Sequence, residues 1–198
     1  MSRGSSVYNV LCFTTNNKSF MPLSILEKYL TSSGYDQKNI IRLNPLDFYY
    51  SINSKKILLS FHEIINLNQE KTDICFFADS YLILIDLEKD NTYQNLSDII
   101  NFMNNLCDLE KTVFVLGLYM DAKNIKNNLN EENIKEFLDK KKLIYEYFES
   151  NVAITSDFNK TINFIIEEGI KKVEKKLKDG EMNNNKIESD SRSHCDIF

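Results

Sequence analysis

Along the chain, short and nearly unbroken apolar runs alternate with segments whose apolar residues recur at helical spacing. The runs lie at 8–13 (Y-N-V-L-C-F), 46–52, 56–61 (K-I-L-L-S-F), 81–86 (Y-L-I-L-I-D), 113–117 (V-F-V-L-G) and 143–148. Continuous apolarity of this length is the pattern of strands covered on both faces, as in a mostly parallel sheet. Between them, 92–106 places Tyr93, Leu96, Ile99, Ile100, Met103 and Leu106 on one stripe. The segment 157–177 does the same with Phe158, Ile162, Ile165, Ile166, Ile170, Val173 and Leu177. Both predict helices with one buried face. Weaker periodicity predicts helices over about 22–31 and 131–141.

One pair of runs breaks the alternation. Only Asn53, Ser54 and Lys55 separate 46–52 from 56–61, so these strands read as an antiparallel hairpin. The expected order is β-α-β-β-loop-β-α-β-α-β-α. The chain turns polar after Gly180 and loses periodicity, and 179–198 reads as a flexible tail.

The 198 residues, 42% of them hydrophobic, suit one domain with a full core, taken as 1–178. The net charge of −5 offers no basic stripe to offset phosphate repulsion, which argues against a nucleic-acid partner and favours protein or lipid. The four cysteines show no C-x-x-C spacing and the two histidines stand far apart, so neither a zinc site nor a disulfide framework is indicated. Cys12, Cys75 and Cys107 sit in apolar runs and read as small apolar residues. No run reaches the ~18 residues of a membrane span, and the first residues lack a signal-peptide pattern.

Three stretches carry a family resemblance. F-F-A-D-S-Y-L-I-L-I-D-L-E-K-D-N-T-Y-Q-N-L (76–96) resembles the Rab-type segment that leads from the second switch through a buried strand into the next helix. F-V-L-G-L-Y-M-D (114–121) falls where that family recognises guanine, and F-E-S-N-V-A-I-T-S-D-F-N-K-T-I (148–162) where its last base-contacting loop enters the final helix. With the hairpin after the first helix, the chain resembles Rab-type small GTPases of the Ras superfamily over about 8–178. The resemblance implies a P-loop fold: a six-stranded, mostly parallel sheet with one antiparallel edge strand at 46–52 and helices on both faces.

The family's chemical motifs are altered. A phosphate loop needs glycines whose backbone N–H groups converge. Here no glycine lies between Gly4 and Gly34, although Lys18 and Ser19 keep a suggestive order in C-F-T-T-N-N-K-S-F-M-P (12–22). Counted back without a gap from Asp86, the γ-phosphate sensor D-x-x-G falls on Ser60-Phe61-His62-Glu63. A carboxylate at Glu63 would then face the phosphate, and like charges ~4 Å apart cost ~4 kcal/mol at an effective dielectric near ~20. The position of the water-orienting glutamine holds Ile64, and the first-switch threonine maps to Leu43. Of the base-recognition set Asn-Lys-x-Asp, here Leu118-Tyr119-Met120-Asp121, only Asp121 remains, and Asn151-Val152-Ala153 replaces the partner loop. Asp121 could hold a base, or cap the segment A-K-N-I that follows it. His62 has no nucleophile and acid at a spacing that names a triad, and reads as a surface-loop residue.

The ending C-D-I-F fits a C-a-a-X prenylation signal at Cys195. The tail from Asp179 carries five acidic residues against Lys186 and Arg192, so no polybasic second signal accompanies it. The resemblance also implies a partner face built from the hairpin and second switch, at Phe48, Leu59 and Ile74.

The resulting expectation is a Rab-like protein of vesicle traffic with a degenerate nucleotide site. It would need no cofactor, perform no catalysis, meet effectors and the prenylation machinery, and sit on the cytoplasmic face of a membrane with a cytosolic pool. The alternatives are a divergent GTP-binding switch that uses GTP or GDP with Mg²⁺ through Lys18, Ser19 and Asp121, and a soluble doubly wound domain with an unmodified tail.

Overall fold

The computed structural model describes residues 6–14, 24, 40–43, 46–52, 55–64, 75, 78–106, 111–152, 160, 162–169, 171–172 and 174–175. These form an α/β fold around one seven-stranded sheet. Its strands are β1 (Ser6–Thr14), β2 (Ile40–Leu43), β3 (Leu46–Ile52), β4 (Lys55–Ile64), β5 (Ser80–Asp86), β6 (Val113–Tyr119) and β7 (Tyr145–Asn151). The order across the sheet is β2-β3-β4-β1-β5-β6-β7. From β4 to β7 every neighbouring pair is parallel, whereas β3 pairs antiparallel with both β4 and β2.

The hairpin expected at 46–61 is present, and the strand count is corrected from six to seven. Ile40-Ile41-Arg42-Leu43 forms the additional strand and takes the edge, so 46–52 is antiparallel but lies one place inside it. Four residues interrupted by an arginine give too short an apolar run to be recognised as a strand. The turn is also tighter than expected. Ile52 pairs with Lys55, so Lys55 belongs to β4 and only positions 53 and 54 connect the strands. A one-residue change of this kind exchanges the faces of a strand.

The apolar runs explain the centre of the sheet. Every residue of β5 is buried, as are the first six of β6, the burial expected of strands covered on both sides. On one face Leu11, Phe13, Ile83 and Val115 join a cluster with Leu96, Ile100 and Met103 of α1 (Thr92–Leu106) and with Ile134 and Leu138 of α2 (Glu131–Lys140). On the other, helical residues 162–169 bring Ile162, Ile165 and Ile166 into the core. There a Cβ on Gly169 would stand 2.7 Å from Tyr8 Cε1, so this helix–sheet contact requires glycine. Phe158, Ile170, Val173 and Leu177, and the helix expected at 22–31 apart from Ser24, lie outside the described residues.

The last strand begins later than its apolar run. Asn130 caps α2 by accepting a hydrogen bond from Asn133 N–H at 2.9 Å. Lys142 ends the segment with φ at 56°. Leu143 then packs into the core while still outside the strand, and pairing with β6 starts at Tyr145. Gly117 does not stop β6, which continues to Tyr119. A Cβ there would lie 2.8 Å from Tyr147 Oη and 2.9 Å from Leu87 Cδ1, so glycine admits two neighbours. Among the described residues, no helix is long and apolar enough to cross a membrane.

Candidate functional site

Ligands of open α/β sheets bind beyond the carboxyl ends of the strands. At the ends of β5 and β6 a set of hydrogen bonds ties the two exits together. Leu87 N–H donates to Leu118 O at 2.9 Å, and Lys126 N–H donates to Leu87 O at 3.0 Å. Asp86, 3% exposed, accepts Glu88 N–H on Oδ1 at 3.0 Å, while its carbonyl accepts the Thr92 hydroxyl at the start of α1. Glu88 Oε1 then receives two backbone donors, Met120 N–H at 3.0 Å and Asp121 N–H at 2.9 Å. Its carboxylate occupies the concave turn after β6 as an external anion would.

Asp121 is exposed and works within its own loop. Its Oδ1 accepts Lys123 N–H at 3.0 Å, capping the 3₁₀ turn η1 (Ala122–Asn124). This is the cap anticipated for A-K-N-I. A base would have to use a carboxylate already engaged on one oxygen. Leu118 is buried, Tyr119 packs partly buried against the core, and Met120 is exposed. Val152 N–H donates to Tyr119 O at 2.9 Å, which holds this one residue after β7 at the end of β6.

The supposed phosphate sensor has another environment. Ser60, Phe61, His62 and Glu63 all lie within β4, which stays paired with β1 as far as Ile64 opposite Phe13. The position aligned with the family's γ-phosphate glycine is thus inside a paired strand. Glu63 is a strand residue beside Cys12, and burial raises its carboxyl above the usual range. Burial, reinforced by the Glu63 charge, also pushes the Cys12 thiol well up, which suppresses the reactive thiolate. Cys12 and Cys75 are buried, as their apolar runs implied, whereas Cys107 lies outside the described residues.

His62 is likewise not a loop residue. Ser60 donates its hydroxyl to Asp47 Oδ1 at 2.5 Å, and Ser60 Oγ stands 3.0 Å from His62 Nε2. Because Ser60 has one proton and a carboxylate only accepts, the contact requires His62 to donate from Nε2. The relay Asp47–Ser60–His62 spans β3 and β4, with Asp47 9% and Ser60 5% exposed. The serine sits between acid and imidazole, so the imidazole cannot take the hydroxyl proton as a hydrolase base would. The signal for this cluster was polar residues at 60 and 62 in an apolar run, but finding their partner needed the two-residue turn.

Neither a protein-family model nor a curated protein matches this chain.

Of the expected site residues, only Asp121 and Leu59 have described side chains. Leu59 is 1% exposed, which corrects its place on a partner surface: β4 lies between β1 and β3, and its register with Tyr8 puts Leu59 in the core. The backbone of Phe48 pairs with Leu59, while the Phe48 side chain lies outside the described residues. Lys18, Ser19, Ile74, Ala153 and Cys195 lie outside them entirely. β1 runs to Thr14, so Lys18 follows the strand end by four positions. In G-x-x-x-x-G-K the lysine follows the first glycine by about six. Among the described residues, no group of His, Cys, Asp and Glu could hold a metal ion.

Proposed function

We propose that this chain is a Rab-like protein of small-GTPase type that works without a nucleotide switch, as a protein-interaction module in vesicle traffic held to a membrane by a lipid on Cys195. The observation that carries the reading is the self-satisfied loop after β6. Glu88 takes the Met120 and Asp121 amides, and Asp121 Oδ1 takes the Lys123 amide, so the loop meets part of its own hydrogen-bonding demand, one oxygen of the Asp121 carboxylate included. The antiparallel strand β3, hairpinned to β4 beside β1, supports the family resemblance carried by 76–96, 114–121 and 148–162. Effector or trafficking proteins are bound at the hairpin and the following segment, through Phe48 and Ile74, in one fixed state. The lipid holds this surface at the cytoplasmic face of an intracellular membrane.

Thermal unfolding with and without GTP and Mg²⁺ tests the reading. A ligand at 100 times its Kd stabilises by ~2.7 kcal/mol, a readily measured shift. The module predicts no shift and no GTP hydrolysis above background; a clear shift establishes the GTP-binding alternative instead. Cys195→Ser tests the anchor, since an isoprenoid gains ~0.8 kcal/mol per buried CH₂ group on entering a membrane. The variant is expected wholly in the cytosolic fraction, and an unchanged distribution removes the lipid from the account.

A further inference from the structure

Beside the locked strand ends lies a hollow of about 460 Å³ between the turn after β5 and the two 3₁₀ turns after β6. Its lining includes Glu88, Lys89, Lys123, Asn124, Lys126 and Asn127. Its size is that of a small-molecule site, but its wall is polar and cationic where most such sites are apolar. We propose that it binds a compact phosphate-bearing anion, independently of whether the chain meets a guanine nucleotide.

Three observations carry this. First, three lysines from two separate loops share one concave wall in a protein whose net charge is −5. Second, their charge is only partly offset, although Glu88 also lines the hollow. The Glu88 carboxylate is turned to the Met120 and Asp121 amides. Among the described residues only Lys126 has an acidic partner, Asp90 at 3.2 Å, and that carboxylate is 85% exposed and well screened. Lys89 and Lys123 make no ion pair among the described residues. Third, the turns that carry the lysines are tied by backbone hydrogen bonds, Lys126 N–H to Leu87 O at 3.0 Å and Asn124 N–H to Asp121 O at 2.9 Å, so the lysines spring from a held base. Lysine ammonium groups meet phosphate as point charges, and the Asn124 and Asn127 amides add neutral donors for the remaining oxygens.

Titration calorimetry of the full chain with inorganic pyrophosphate, without Mg²⁺, is the test. Wild type should bind, with affinity falling as NaCl is raised. Lys89→Gln with Lys123→Gln should weaken binding at least ~10-fold at an unchanged melting temperature, because charge-assisted bonds are lost while no ion pair is broken. Lys140→Gln with Lys171→Gln removes the same charge from exposed helical pairs and should leave binding intact. Absence of binding by wild type, binding that survives in the Lys89/Lys123 variant, or equal loss in the control overturns the proposal. Flotation with phosphatidylcholine vesicles, with and without phosphatidylinositol bisphosphate, then separates the two sources of phosphate. Lysine-dependent capture by the phosphorylated lipid makes the ligand a headgroup, and pyrophosphate binding without capture makes it a free metabolite.

Discussion

The β5–β6 half of the sheet and the described part of the β3–β4 hairpin both reach the core, but they bury different groups. Between its polar end residues Ser80 and Asp86, β5 buries only apolar side chains from Tyr81 to Ile85, with Ile83 and Ile85 fully enclosed. The hairpin instead sinks a carboxylate and a hydroxyl, and keeps them satisfied through the Asp47–Ser60–His62 relay. Aliphatic burial is nondirectional and tolerates small displacements, whereas a buried polar relay depends on register. The pairing of Asp47 with Ser60 exists only with the turn closed at Ile52 and Lys55.

The largest effect expected from this contrast is in the aliphatic half. Ile83→Ala should cost ~2–5 kcal/mol in denaturant unfolding, because a fully enclosed side chain leaves a cavity. A loss below ~1 kcal/mol would mean that β5 is not packed on both faces.

Alkali probes the boundary of the two regions at Tyr8, on the strand that joins them. Burial pushes the Tyr8 phenol up to about 12, the neighbouring Ser80 hydroxyl acting weakly against it, and among the described residues its Oη meets no partner at full hydrogen-bond geometry. The unfolded chain titrates near ~10, so it releases the proton first. This share of stability is therefore full below pH ~10 and is lost as pH rises through about 12, by roughly 3 kcal/mol. Tyr8→Phe should remove that share of the alkaline decline at little cost to stability at neutral pH, since the Tyr8 hydroxyl makes no full hydrogen bond among the described residues. Burial also raises the phenols of Tyr145 and Tyr147, so a residual decline remains.

In the hairpin, Asp47→Ala should cost ~1–3 kcal/mol by leaving the Ser60 hydroxyl buried without its acceptor. Asp47→Ala with Ser60→Ala should cost less than the sum of the single changes, the mark of coupled neighbours. Strict additivity would dissolve the relay. The smallest effect is at Asp121. Asp121→Ala should lose ~1 kcal/mol with the η1 cap, and Asp121→Asn, which can still cap, should lose almost nothing.

The same contrast explains how much could be read in advance. α1 has the anticipated bounds, and β5 and β6 lie on their apolar runs, because periodicity reports burial directly. β2 was hidden by its length, and β7 by Leu143, which packs before the strand begins. The relay and the Glu88 clamp were less legible still. Both depend on residues far apart in sequence that meet only once the strands are aligned, 13 positions apart for Ser60 and Asp47 and 32 for Met120 and Glu88. Asp121 stood out by position, and its capping role was one of two chemistries open to it.

The loop after β6 serves either a nucleotide or only itself. Protein purified from a eukaryotic host, denatured and extracted, can be assayed directly for guanine nucleotide by chromatography. The self-satisfied loop predicts none above the level of a protein that does not bind nucleotide. Near-stoichiometric GDP or GTP would contradict it and make the chain a working switch.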